Sequence, residues 1–166
     1  MTAPTRPWRR VASRSLVGLL AMLALVLASS NAQAAGCKKV NGRFSLQAFT
    51  DGCTSAIALC AHATFTGDLA GTATFVGTSI TPTVDTPTTG VVLVTGDTTI
   101  QTKGGGTLST KDAFVLRTVG TGEFGEVATV IGGTGPWAGA TGAFRAQGVF
   151  AAGAGEGDYV GEVCLP

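Results

Sequence analysis

Gly90-Val91-Val92-Leu93-Val94-Thr95-Gly96-Asp97-Thr98-Thr99-Ile100-Gln101-Thr102, then Lys103-Gly104-Gly105-Gly106, then Thr107-Leu108-Ser109-Thr110-Lys111-Asp112-Ala113-Phe114-Val115-Leu116, reads as strand, turn, strand. The flanking runs are rich in Val and Thr, β-branched side chains whose stiff χ1 suits a pleated sheet. The Gly-rich tetrapeptide between them is a hairpin signal. No helical window survives here, because each interior Gly costs about 1 kcal/mol relative to Ala.

The same grammar extends in both directions. Thr, Val, Phe and Gly dominate from residue 40 onward, and turn signals cut the chain into short runs. Strands are expected near 40–50, 62–68, 71–80, 90–102, 107–116, 122–131, 142–150 and 156–164. Gly67-Asp68-Leu69-Ala70-Gly71 is a tight hairpin, and Gly153-Ala154-Gly155 turns into the last strand. The longest loop runs from Thr81 to Thr89, where Pro82 and Pro87 cannot donate to a ladder. Gly132 to Gly139 is a Gly-rich corner, and Ser55–Leu59 is expected to add one short helical turn. Eight antiparallel strands on short turns point to an all-β, up-and-down barrel or a sandwich, and closure, which removes exposed edges, favours the barrel.

The first 35 residues follow another logic. Arg6, Arg9, Arg10 and Arg14 precede the apolar run Leu16–Ala28, which is short for a bilayer. Small residues at A-x-A spacing follow, in Ala32-Gln33-Ala34-Ala35. This is the pattern of a secretory signal-peptide helix over 1–35, with a barrel domain over 36–166. Ala34-Ala35-Gly36-Cys37 is a poor lipobox, and Arg9-Arg10 lacks the hydrophobic pair of twin-arginine export. Seven basic and ten acidic residues lie beyond residue 35, a net charge of −3. Nothing there resembles a nucleic-acid footprint. No second run is long enough to span a membrane, so the expectation is a soluble extracellular or periplasmic protein.

All four cysteines fall in the barrel domain: Cys37, Cys53, Cys60 and Cys164. An even count in an exported chain predicts two disulfides, with three connectivities open. Cys53–Cys60 with Cys37–Cys164 is preferred, the second requiring first and last strands to be neighbours. Cys53, Cys60 and His62 make only three zinc ligands in an oxidising compartment, so no metal is expected.

Two Gly motifs imitate cofactor sites. Gly120-Thr121-Gly122-Glu123-Phe124-Gly125 is a literal GxGxxG, and Gly133-Thr134-Gly135-Pro136-Trp137-Ala138 fits a looser form. The dinucleotide fingerprint needs a following helix whose N-terminus holds the pyrophosphate. A strand follows the first match, and Pro136, Gly139, Gly142 and Gly148 break any helix after the second. No cofactor is expected, and no motif for a serine, metal or phosphate-binding enzyme occurs.

The stretch Ile131-Gly132-Gly133-Thr134-Gly135-Pro136-Trp137-Ala138-Gly139-Ala140-Thr141-Gly142 resembles the Gly corner of allene oxide cyclase-like and dirigent-like barrels. Phe65–Gly71, Pro87–Gly90, Gly96–Thr98, Thr110–Ala113 and Tyr159–Cys164 are similar to a bacterial secreted branch of that group, so the likeness covers nearly all of the barrel domain. The resemblance implies an eight-stranded calycin-type barrel. Plant members include a cyclase and proteins that steer radical coupling. No catalytic motif of either is present, and fold does not imply function.

Strand alternation supplies the candidate site residues. Phe124, Glu126, Ala128 and Val130 share one face, as do Leu108, Thr110, Asp112, Phe114 and Leu116. If these faces line the interior, the two acids must be paired, protonated or set in a wet cavity. If they form the outer wall, or a bulge shifts the register, the acids are ordinary surface groups. Arg145 shares a face with Ala143, Gln147 and Val149; it either pairs with Glu126 or Asp112 inside or lies on the surface. His62 is expected at the rim or surface, with Trp137 and Tyr159 packing the corners.

Two functions stay open. One is a secreted barrel that binds a small hydrophobic molecule, with cofactor-free isomerisation or cyclisation of it as the enzymatic variant. The other is a non-catalytic protein acting through its surface or as a homo-oligomer. A cavity of about 300 Å³ or more with converging polar groups favours the first. An interior filled by Phe, Leu and Val favours the second.

Overall fold

A computed structural model describes residues 36–82 and 90–166. The expected signal segment, 1–35, lies outside the described residues, as does most of the long loop, 83–89. Eight strands follow in order: β1 (Gly36–Phe49), β2 (Cys60–Phe65), β3 (Gly71–Pro82), β4 (Val91–Thr102), β5 (Thr107–Arg117), β6 (Glu123–Gly133), β7 (Thr141–Ala151) and β8 (Ala154–Leu165). Each pairs antiparallel with the next, and β8 returns to β1, closing the barrel. This is the up-and-down architecture that the hairpin grammar predicts.

The seam is long. β1 and β8 are in register from Gly36↔Leu165 to Gln47↔Ala154, with Cys37 directly opposite Cys164. That register places the two sulfurs in reach, and Cys37–Cys164 is bridged. Cys53–Cys60 closes the second bridge within the β1–β2 connection. Three details differ from the sequence reading. β2 runs over Cys60–Phe65 rather than 62–68, because Gly67 turns the chain with φ +84° and Leu69 dives into the core. The final turn sits at Ala152-Gly153, both at positive φ, so β8 starts two residues early. Ser55–Leu59 makes no helix. Its Ser55 hydroxyl donates to Gly77 C=O at 2.6 Å and accepts from the Ile57 and Leu59 amides, holding an irregular turn against β3.

The barrel has two unlike ends. At one end lie the start of β1, the β2–β3, β4–β5 and β6–β7 turns, and the end of β8. This end is packed solid by Leu69, Val40, Ile100, Leu108, Val130 and Val163, all at most 4 % exposed. Tyr159 crosses it: its hydroxyl accepts from the Leu69 amide and donates to Thr66 C=O, both at 2.8 Å. The Gly corner forms one 3₁₀ turn, Gly135–Trp137, and Trp137 Nε1 donates to Thr102 Oγ1 at 2.9 Å. Trp137 and Tyr159 are thus the corner packing that the sequence predicts. At the other end lie the β1–β2 loop and the turns after β5 and β7. Among the described residues, that end is lined largely by phenylalanine rings, with Val94 fully buried beside them.

Candidate functional site

Alternation puts Phe124, Glu126, Ala128 and Val130 of β6 on the inner face, together with Leu108, Thr110, Asp112, Phe114 and Leu116 of β5. A bulge does occur in β6. It falls at Ile131, since Thr110 pairs with Val130 and Ser109 with Gly132. The alternation from Phe124 to Val130 is therefore unbroken, and both acids face inward.

They line a cavity of about 100 Å³ in the ring-lined half of the barrel. Seven phenylalanines stand in its wall, Phe44, Phe65, Phe75, Phe114, Phe124, Phe144 and Phe150, with Leu and Ala side chains between them. The Phe114 ring stands 5.7 Å from Phe75 and 6.1 Å from Phe124, each edge to face. Phe44 reaches Phe124 at 6.0 Å. These rings need small partners behind them. A Cβ at Gly96 would run into the Phe75 ring, and one at Gly157 would lie 2.7 Å from Phe44 Cζ. Glycine on the inner face is what lets large rings stand in a narrow barrel.

Four polar side chains break the apolar lining: Thr98, Thr110, Asp112 and Glu126. Asp112 is 4 % exposed. Its Oδ1 accepts from Thr110 at 2.6 Å and its Oδ2 from Thr98 at 2.5 Å. Thr98 and Thr110 are opposite one another in the β4–β5 ladder, so the two hydroxyls arrive from adjacent strands. Burial pushes the Asp112 carboxyl above its ordinary value, and the two hydroxyl donors hold it part of the way down.

Glu126 is the contrast. It is opposite Phe114 on β5 and Ala146 on β7, neither of which offers a partner. No hydrogen bond or ion pair reaches its carboxyl from the described residues. Asp112 is its diagonal neighbour on the same face, on the order of 7 Å away by strand geometry. Burial first, and the nearby Asp112 charge second, raise the Glu126 carboxyl to about 8. It holds its proton at neutral pH and presents an O–H to the cavity.

Arg145 does not join them. It is exposed on the outer wall, flanked in register by Val127 and Val160, which are 49 % and 52 % exposed. The physical reason is parity: its neighbours Phe144 and Ala146 point in, so Arg145 points out. The partnership with Glu126 or Asp112 is therefore not made. His62 is also outside, stacked on Phe49 at 4.0 Å between ring centroids. Cys53 and Cys60 are joined to each other, leaving no thiolates for a metal beside His62.

The sequence reading missed Thr98, Phe75 and Phe150 as site residues. Thr98 follows from the hairpin once Lys103–Gly106 is taken as the turn, because the register then sets Thr98 beside Thr110. Phe75 and Phe150 carry no such local signal. A wider hollow of about 670 Å³ lies on the outer wall, along Ser45, Gln47, His62, Thr74, Thr99 and Gln101. It is open and holds no carboxylate or other desolvated charge, so the lumen is the stronger site. No helix among the described residues is long and apolar enough to cross a membrane. Comparison with protein-family models, curated proteins and solved structures finds no match to this chain.

Proposed function

We propose that this chain is an exported β-barrel that binds a small apolar molecule, or the apolar end of one, in its lumen. The observation that carries the reading is Glu126, a half-buried carboxyl that no described residue hydrogen-bonds, set among phenylalanines. A buried polar group left unmet is costly, and a ligand's polar end would meet it. The phenylalanine wall supplies the apolar contact, and Asp112, already satisfied by two threonines, fixes the floor. Export rests on the basic, apolar and A-x-A segments of residues 1–35, and two disulfides are compatible with an oxidising compartment. The likeness to allene oxide cyclase-like and dirigent-like barrels accords with a closed eight-stranded barrel.

The second reading is a cofactor-free isomerase or cyclase acting on a hydrophobic substrate. A protonated Glu126 favours it, as a general acid placed against apolar walls. The cavity volume favours binding, since about 100 Å³ is well under the roughly 300 Å³ at which ligand pockets usually begin. Native mass spectrometry of protein taken from the culture medium tests both export and binding. The expected result is a chain lacking residues 1–35, with both bridges intact and an extra small mass that is lost on denaturation. A chain that still begins at Met1 would sink export. A bare chain that takes up no small apolar compound would sink lumen binding.

A further inference from the structure

We infer that the lumen selects a small lipophilic ammonium ion, with Glu126 as its counter-ion and the phenylalanine faces around its alkyl part. The inference rests on the lumen-binding reading above and names the ligand's charge. Its basis is the composition of the inner wall.

Both ionisable groups that face the cavity are acids, Asp112 and Glu126. Each element packed about Glu126 is otherwise neutral on its inner face. β5 brings Phe114 and Asp112, β7 brings Ala146, and across the lumen stand Phe44 of β1, Phe75 of β3 and Thr98 of β4. The nearest basic side chains by sequence, Lys111 and Arg145, are exposed on the outer wall, and Lys111 is paired there with Asp97. Tyr159 lies at the packed end with its hydroxyl already engaged. An anionic ligand would meet no positive group among the described lining residues, and one acid already hydrogen-bonded as an acceptor. A neutral ligand gains the rings and one hydrogen bond. An ammonium gains both acids and the negative faces of the rings, in a desolvated site where cation–π attraction is strongest.

A free Glu126 carries its proton at pH 7, and an ammonium pairs with the carboxylate. Binding therefore expels that proton. Below about pH 8 the affinity for a permanent cation should rise close to tenfold per pH unit, then flatten.

The test uses three probes of one shape on the disulfide-bonded protein: butylammonium, 1-butanol and butyrate. Binding is read from the ring proton shifts of the lumen phenylalanines and from proton release in calorimetry. At pH 8 butylammonium should bind at least tenfold more tightly than 1-butanol, and butyrate least. Its affinity should climb from pH 6 to pH 8. In Glu126→Gln the preference for the cation should drop at least tenfold and the pH slope should flatten, with only Asp112 left, while 1-butanol binding persists. If 1-butanol matches or exceeds butylammonium, the charge assignment is wrong and lumen binding stands. If butyrate binds best, the assignment is likewise overturned. If none of the three moves the lumen rings, the charge assignment and lumen binding fail together.

Discussion

The two ends of this barrel use the same inward alternation to opposite effect. At the packed end, the inward positions are Val40, Ile100, Leu108, Val130 and Val163, with Leu69 inserted from a turn. Polar atoms there are matched pairwise: the Tyr159 hydroxyl to Leu69 and Thr66, the Trp137 indole to Thr102. At the ring-lined end, phenylalanines alternate with small and aliphatic side chains; Phe114 meets Phe75 and Phe124 edge to face, and space is left between the rings. Aliphatic branches interdigitate and fill a narrow lumen, whereas rings standing on glycines prop it open. A satisfied polar set therefore goes with stability, and the unmet Glu126 with a cavity. Natural chains tolerate such a lapse where a site is needed.

The largest effect expected from breaking this contrast is at the seam. Removing the Cys37–Cys164 bridge with paired serines frees a loop spanning 127 residues, and chain-entropy arguments put the loss at about 5 kcal/mol. Chemical denaturation of the variant under non-reducing conditions measures it. The ring-lined end should respond next, and in the opposite direction. Glu126 holds a proton in the fold up to about pH 8, whereas in the unfolded chain it loses it near 4.5. The folded state therefore binds more protons between these values, and stability falls as pH rises through that window. Glu126→Gln removes that group's share of the fall, so the variant should be more stable than the parent at pH 8 by on the order of 4 kcal/mol, and equal to it near pH 4. Denaturant melts at the two pH values check this. A parent whose stability is flat from pH 5 to pH 8 would mean that water already solvates the carboxyl.

Tyr159→Phe sharpens the comparison from the packed end. It strands the Leu69 amide and the Thr66 carbonyl, and should destabilise by roughly 2 kcal/mol without any new pH dependence. The smallest effect belongs to neither end. Arg145→Ala, on the outer wall, should shift stability by no more than about 0.5 kcal/mol and leave the Glu126 titration unchanged.

Much of this was legible in the chain. Gly-punctuated runs of Val and Thr fix eight strands, and the demand that first and last cysteines meet points to closure. Period-two alternation sets both acids on faces shared with apolar side chains, but whether those faces point inward is decided by closure of the barrel. The alternation holds provided that no bulge intervenes. Whether one does is not written locally. The extra residue at Ile131 depends on how β6 coils against β5, and it happens to lie beyond the acids. Arg145 shows the same limit. Its face was readable, but its distance from Glu126 depends on parity across β6 and β7, which pairing sets. The cavity was the least legible feature. Its size depends on which rings rest on which glycines, as Phe75 on Gly96 and Phe44 on Gly157, and those contacts join strands far apart in sequence.

The seam also gives the molecule a mechanical character. With Cys37 bonded to Cys164, the backbone between them is a covalent hoop. Tension applied to the chain outside those two residues passes through the sulfur bond and bypasses the β1–β8 ladder. A single cut by a protease in the turn after β5 would open the hoop without parting it, leaving two fragments that migrate as one until a reductant is added.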